Sequence, residues 1–123
     1  MQTIVITSTD KLWKEAQEKG KYTWSTIDSA LDDIGFIHAT NPDQTTAMLN
    51  RHFANRDNLL LLLVDVTKVK SEVRFESPLS GRAGLFPHIY GPLNLDAVYG
   101  TIRPDKDTSG GFIEPAGLAK LVS

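Results

Sequence analysis

Two side chains able to exchange protons or hydrogen bonds, His88 and Tyr90, stand two residues apart in Phe86-Pro87-His88-Ile89-Tyr90-Gly91-Pro92-Leu93. Each proline fixes its own φ near about −65° and drives the residue before it towards extended backbone. The two rings therefore sit on a stiff segment, and in a strand a spacing of two places them on one face. An imidazole beside a phenol can donate, accept, stack on a base or pass a proton near neutral pH. The competing reading is a packed turn at a sheet edge, with His88 bonded to a backbone carbonyl.

The other two histidines also lie in ordered-looking segments. His38 ends the compact strand signal Gly35 to Thr40, with Phe36 and His38 on one face and Ile37 and Ala39 on the other. It stands just before a helix N-terminus, where free backbone N–H groups gather; the alternative is a core histidine bonded to backbone. Arg51 and His52 close that helix, where the macrodipole stabilises a cation by about 0.3–1 kcal/mol. They either serve that purpose alone or contact an anionic ligand. Asp96 interrupts an apolar strand. If Leu93, Leu95, Ala97 and Tyr99 face the core, Asp96 faces away from it, either to solvent or as a carboxylate that orients a ribose hydroxyl or a histidine. The candidates are thus His38, His88 and Asp96 for catalysis, and Arg51, His52 and Tyr90 for ligand binding. No closely spaced histidine pair is present, so no metal centre is expected. Walker, dinucleotide-binding and nucleophile-elbow motifs are also absent from the sequence.

The elements that would position these residues can be read from punctuation and periodicity. Thr3 to Thr7 is a β-branched first strand. Thr9 or Ser8 caps a helix over Asp10 to Lys19 that stops at Gly20, with Leu12, Trp13 and Ala16 as its apolar stripe. Tyr22 to Trp24 reads as a short strand and Ser25 to Asp33 as a helical turn or loop. Asn41-Pro42 with Gln44 is a capping-box start for a helix ending near Phe53. The continuous run Leu59 to Val64 predicts a strand covered on both faces. Val73 to Glu76 alternates as a half-buried strand, Ser77 to Gly84 is a polar loop, and Leu93 to Ile102 is a final strand. A short helix around Pro115 to Leu121 closes the chain.

Composition sets the outer bounds. A chain of 123 residues suggests one domain, with 41% hydrophobic residues suiting a modest α+β fold. The net charge of −2 argues against DNA or an anionic membrane as the main partner. Without cysteine there is no disulfide and no thiol catalysis. That composition, with no signal-like N-terminal run, fits a soluble cytoplasmic protein. The run Leu59 to Val64 is far short of the roughly 20 residues that span a bilayer.

Gly35 to Thr40, Arg51-His52-Phe53 and Leu85 to Val98 together resemble the uncharacterised bacterial family DUF952. The resemblance covers roughly residues 3–102 and leaves 103–123 as a C-terminal extension. Its most specific part is Phe86 to Leu93 with Asp96-Ala97-Val98. The resemblance implies an α+β fold similar to ADP-ribosyltransferases, a split β-sheet with two or three helices around a nucleotide cleft. The RNA 2′-phosphotransferase is a cousin in layout. It thus implies group transfer on a nucleotide, with NAD or a 2′-phosphorylated RNA end as substrate. The same cleft without turnover, and a partner-binding domain, are the alternatives. Members usually carry a histidine in the first strand, seven residues before the helix tryptophan. Here Ile6 occupies that position, which implies weak or absent NAD turnover.

Overall fold

The computed structural model describes residues 1–77 and 84–121. The polar loop expected over Ser77 to Gly84 therefore lies largely outside the described residues. Strand β1 (Thr3–Thr9) runs directly into helix α1 (Asp10–Lys19). The switch is made by Thr9, whose Oγ1 accepts from the Leu12 N–H at 3.1 Å. Gly20, at φ 89°, ends the helix in the left-handed conformation that glycine adopts without steric cost. Two short strands follow, β2 (Lys21–Tyr22) and β3 (Trp24–Thr26). The segment Ser25 to Asp33, expected as a helical turn or loop, holds a hairpin of β3 with β4 (Ser29–Ala30) and then the single-turn helix α2 (Leu31–Ile34).

Strand β5 (Ile37–His38) leads through a 3₁₀ turn (Pro42–Gln44) into helix α3 (Thr45–His52). At that entry the Asn41 N–H donates to Gln44 Oε1 at 2.8 Å, and the Gln44 N–H donates to the Asn41 backbone carbonyl. The side-chain half of the expected cap is weaker than the sequence suggested, because Asn41 Oδ1 is buried without a well-formed hydrogen bond.

The leucine run forms β6 (Leu59–Asp65), buried throughout. It lies between β1 and β10 (Val98–Ile102) in an antiparallel sheet. Its residues alternate between two cores. Leu60, Leu62 and Val64 pack with Ile4, Ile6, Leu12, Ala16, Ile37 and Ile89. Leu59, Leu61 and Leu63 pack with Val5, Leu49, Phe112 and Leu118. The segment beyond residue 102 thus supplies part of the second core.

A second sheet has the order β5, β8 (Phe86–Tyr90), β7 (Glu72–Glu76). A bridge between Val5 and Thr40 joins its β5 side to β1. Where β8 ends, Gly91 stands at φ +147°, and a Cβ there would lie 2.5 Å from Ser71 Oγ. Ser71 Oγ in turn donates to the Pro92 carbonyl at 2.7 Å.

The final strand differs from expectation. Leu93 to Ile102 is broken into β9 (Leu93–Asn94), a 3₁₀ turn (Leu95–Ala97) and β10. The cause is Asn94, whose side-chain amide donates to the Lys68 carbonyl and to Asp96 Oδ1, while its Oδ1 accepts from the Lys70 N–H. Such local side-chain bonds compete with a β-ladder. Tyr99, expected to face the core, is exposed, and its hydroxyl lies 2.8 Å from Thr3 Oγ1.

Three stability predictions rest on the packing and caps. Leu61→Asp places an unpaired charge at a fully buried site, a cost of several kcal/mol against a total stability of about 5–15 kcal/mol; the variant is expected to lose its cooperative thermal transition. Thr9→Ala removes a bonded cap and should lower stability by about 0.5–2 kcal/mol in urea denaturation. Asn41→Ala should cost less than Thr9→Ala, because Asn41 Oδ1 has little to lose.

Candidate functional site

The second sheet presents two chemically distinct faces, as a period-two pattern requires. Ile37, Ile89, Val73 and Phe75 turn towards the core. The opposite face carries Phe36 and His38 from the β5 segment, Phe86, His88 and Tyr90 from β8, and Glu72, Arg74 and Glu76 from β7. Register places His38 opposite His88, and His88 opposite Arg74. The two imidazole centroids are 5.6 Å apart in an edge-on arrangement. Phe36 stacks on His88 at 4.1 Å and 28°.

Each imidazole is held at Nδ1. His38 Nδ1 is 3.1 Å from Ser25 Oγ on β3, and Ser25 is almost fully buried. His88 Nδ1 is 2.8 Å from Glu76 Oε1, the oxygen that also accepts from the Tyr90 hydroxyl at 2.5 Å. The bonds from Tyr90 and then His88 hold the Glu76 carboxyl below its ordinary pKa. The same carboxylate raises the pKa of the Tyr90 phenol. His38 opens to the cleft mouth, yet the protein packed around its ring, followed by repulsion from His88, pushes its pKa down. Arg74 lies over the Tyr90 ring at 4.4 Å and is bonded to Glu72.

Above this face is a cleft of about 480 Å³ between β1, the β3–β4 hairpin, the end of α3 and the second sheet. All three histidines of the chain, His38, His52 and His88, line it, together with Phe36, Phe53 and Phe86. Among the described residues, no three histidine, aspartate or glutamate side chains are grouped to hold a metal ion.

The remaining sequence candidates stand elsewhere. Tyr90 shares the His88 face but borders a second depression, beside Trp24 and Pro92. Arg51 is exposed and is not among the cleft-lining residues. Successive helical residues lie about 100° apart, so the turn of α3 that brings His52 to the cleft aims Arg51 away. Asp96 is exposed on the 3₁₀ turn after β9, with its pKa lowered first by the Asn94 bond and then by Lys70. It does not line the cleft.

Ile6 is buried against Leu60 and Leu62, so a histidine at that position would enter the core. The first-strand residues on the cleft wall are Val5 and Thr7, and the buried Thr7 Oγ1 has no hydrogen-bond partner. Glu76, Phe36 and Ser25 were not among the sequence candidates. Glu76 had one usable signal, an even spacing from Arg74 in an alternating strand, but its nearness to His88 depends on strand register.

The architecture defines an α+β protein whose polar sheet face opens on a histidine-lined cleft. The family described as a protein of unknown function, DUF952, matches residues 7–101, and the chain belongs to that family. It is similar over 95% of its length to CC0527 from Caulobacter crescentus. The crystal structure of CC0527 is 28% identical, with a TM-score of 0.79 and 98% of that chain covered. Its solution NMR structure gives 26% identity, a TM-score of 0.74 and 95% of that chain covered. No curated protein matches.

The lowered pKa of His38 has a defined consequence. Its ring should titrate with a midpoint below the ordinary value of about 6.5, followed by NMR on its ring protons. The folded state binds this proton less readily than the unfolded chain does. Stability from this group is therefore intact above about pH 6.5 and falls as pH drops from there to the folded pKa. His38→Gln should flatten that part of the stability profile; an unchanged profile would remove the assignment.

Proposed function

We propose that the cleft binds a nucleotide-like small molecule and that His38 and His88 handle protons in a group transfer on it. The observation that carries this reading is the convergence of the chain's three histidines, from β5, α3 and β8, on one cavity. Sites for small molecules combine apolar walls with a few polar groups on stiff elements. Phe36, Phe53 and Phe86 offer stacking surface to a base or a similar heterocycle. His38, depressed in pKa, is a neutral imidazole near pH 7, suited to exchanging a proton. The ligand-binding role falls to His52 with the aromatic rings, while Tyr90 acts through Glu76.

The ADP-ribosyltransferase-like layout is part of the same proposal. It is supported by two three-stranded sheets joined at the Val5–Thr40 bridge with the cleft beside that junction. In that layout the first strand supplies a basic residue to the NAD ribose. Here Val5 and Thr7 occupy the wall, so we expect a nucleotide to bind with little or no nicotinamide release. NAD and a 2′-phosphorylated RNA end are the substrates such a layout would take.

The test is a titration of NAD, ADP-ribose and adenosine followed by amide NMR shifts. Shifts should map to the cleft and weaken at least tenfold in His88→Ala and His52→Ala, with Arg51→Ala close to wild type. Shifts that map to the Asp96 turn, or that persist unchanged in both histidine variants, would overturn the site. Rapid nicotinamide release from NAD would overturn the limit placed on turnover.

A further inference from the structure

We propose that Glu76 is the positioning carboxylate of this cleft: it fixes the tautomer of His88 and so presents Nε2 as a hydrogen-bond acceptor whenever the ring is neutral. The bound ligand must then offer an O–H or N–H donor at that point. This rests on the cleft being the ligand site and specifies which part of the ligand meets His88.

The argument begins with what an ionised carboxylate can do. It accepts hydrogen bonds and has no proton to give. Glu76 Oε1 is 2.8 Å from His88 Nδ1 and 2.5 Å from the Tyr90 oxygen. Both partners must therefore donate, and a His88 ring with a single N–H proton carries it on Nδ1. A neutral imidazole with Nδ1–H has a lone pair on Nε2, and His88 is one of the residues lining the cleft.

Two further contacts hold the arrangement. Phe36, stacked on His88 at 4.1 Å, fixes the plane of the ring, and Glu76 selects which way round the ring lies in that plane. Arg74, a nearby cation, is committed to Glu72 by bonds of 2.9 and 3.0 Å, and among the described residues the shared Glu76 oxygen accepts from His88 and Tyr90. The geometry repeats a general device in which a carboxylate behind a histidine sets the tautomer and orientation of the ring in front.

The chemical consequence is a polarity for the ligand. A fully ionised phosphate carries no donor and is a poor partner for Nε2 of neutral His88. A sugar hydroxyl, or an amino or ring N–H of a base, suits it. The His88 wall of the cleft is thus assigned to the sugar or base part of a nucleotide-like ligand.

The experiment is a long-range ¹H–¹⁵N correlation spectrum of the histidine rings at about pH 9, where an ordinary histidine is neutral. It is recorded for wild type and Glu76→Gln, and each protein is titrated with adenosine. Wild-type His88 should be entirely the Nδ1–H tautomer. In Glu76→Gln the side-chain amide can donate to Nδ1, and the ring should move towards Nε2–H, with adenosine affinity lowered at least tenfold. A wild-type His88 in the Nε2–H form would overturn the proposal even if the variant failed to fold. So would a variant whose tautomer and adenosine affinity were unchanged. The expected tautomers without adenosine binding to wild type would support the role of Glu76 and count against the nucleotide-like ligand.

Discussion

The antiparallel register of β5, β8 and β7 is the constraint on which the site depends. Because side chains alternate across a strand, a slip of one residue would exchange the two faces entirely. Ile37, Ile89, Val73 and Phe75 would leave the core, and His38, His88 and Glu76 would enter it. The apolar residues thus do more than fill space: by demanding burial, they hold the polar set in the only register that brings His38 opposite His88. The packing energy of one face fixes the chemistry of the other.

Strand β6 extends this division of labour through the rest of the molecule. Its even-numbered residues from Leu60 to Val64 meet the core beneath the second sheet, and its odd-numbered leucines meet the core of α3 and the C-terminal segment. The helix end that carries His52 and the sheet that carries His38 and His88 are therefore anchored to opposite faces of one buried strand. Val5 and Thr7 belong to β1, paired along β6, and form the cleft wall between those two supports. A rigid frame of this kind lets a cleft built from short elements keep its shape.

Much of this was legible in the sequence wherever a local rule decided the outcome. The cap at Thr9, the stop at Gly20 and the buried leucine strand all follow from neighbours in the chain. The placement of Phe36 with His38, and of His88 with Tyr90, on one face of an extended segment was equally local. What escaped was long-range. Asn94 breaks the last strand because Lys68 and Lys70 come to it from another part of the chain. Glu76 joins the site because β7 pairs with β8 in one register. The difference between Arg51 and His52 is a rotation about a helix axis whose setting depends on packing. Ile6, read as a lost site residue, faces the core because β1 presents its odd-numbered residues to the cleft.

Gly91 ties these levels together. It contains no functional group and lies outside the cleft, but the closeness of Ser71 leaves no room there for a side chain. That approach joins the start of β7 to the end of β8, the same pair of strands that carries Glu76 to His88 and Tyr90. The position works as an alignment pin: a bulkier residue would force Ser71 and the strand ends apart while leaving every side chain of the site in the sequence. The cleft therefore depends on an atom that is missing as much as on the side chains that line it.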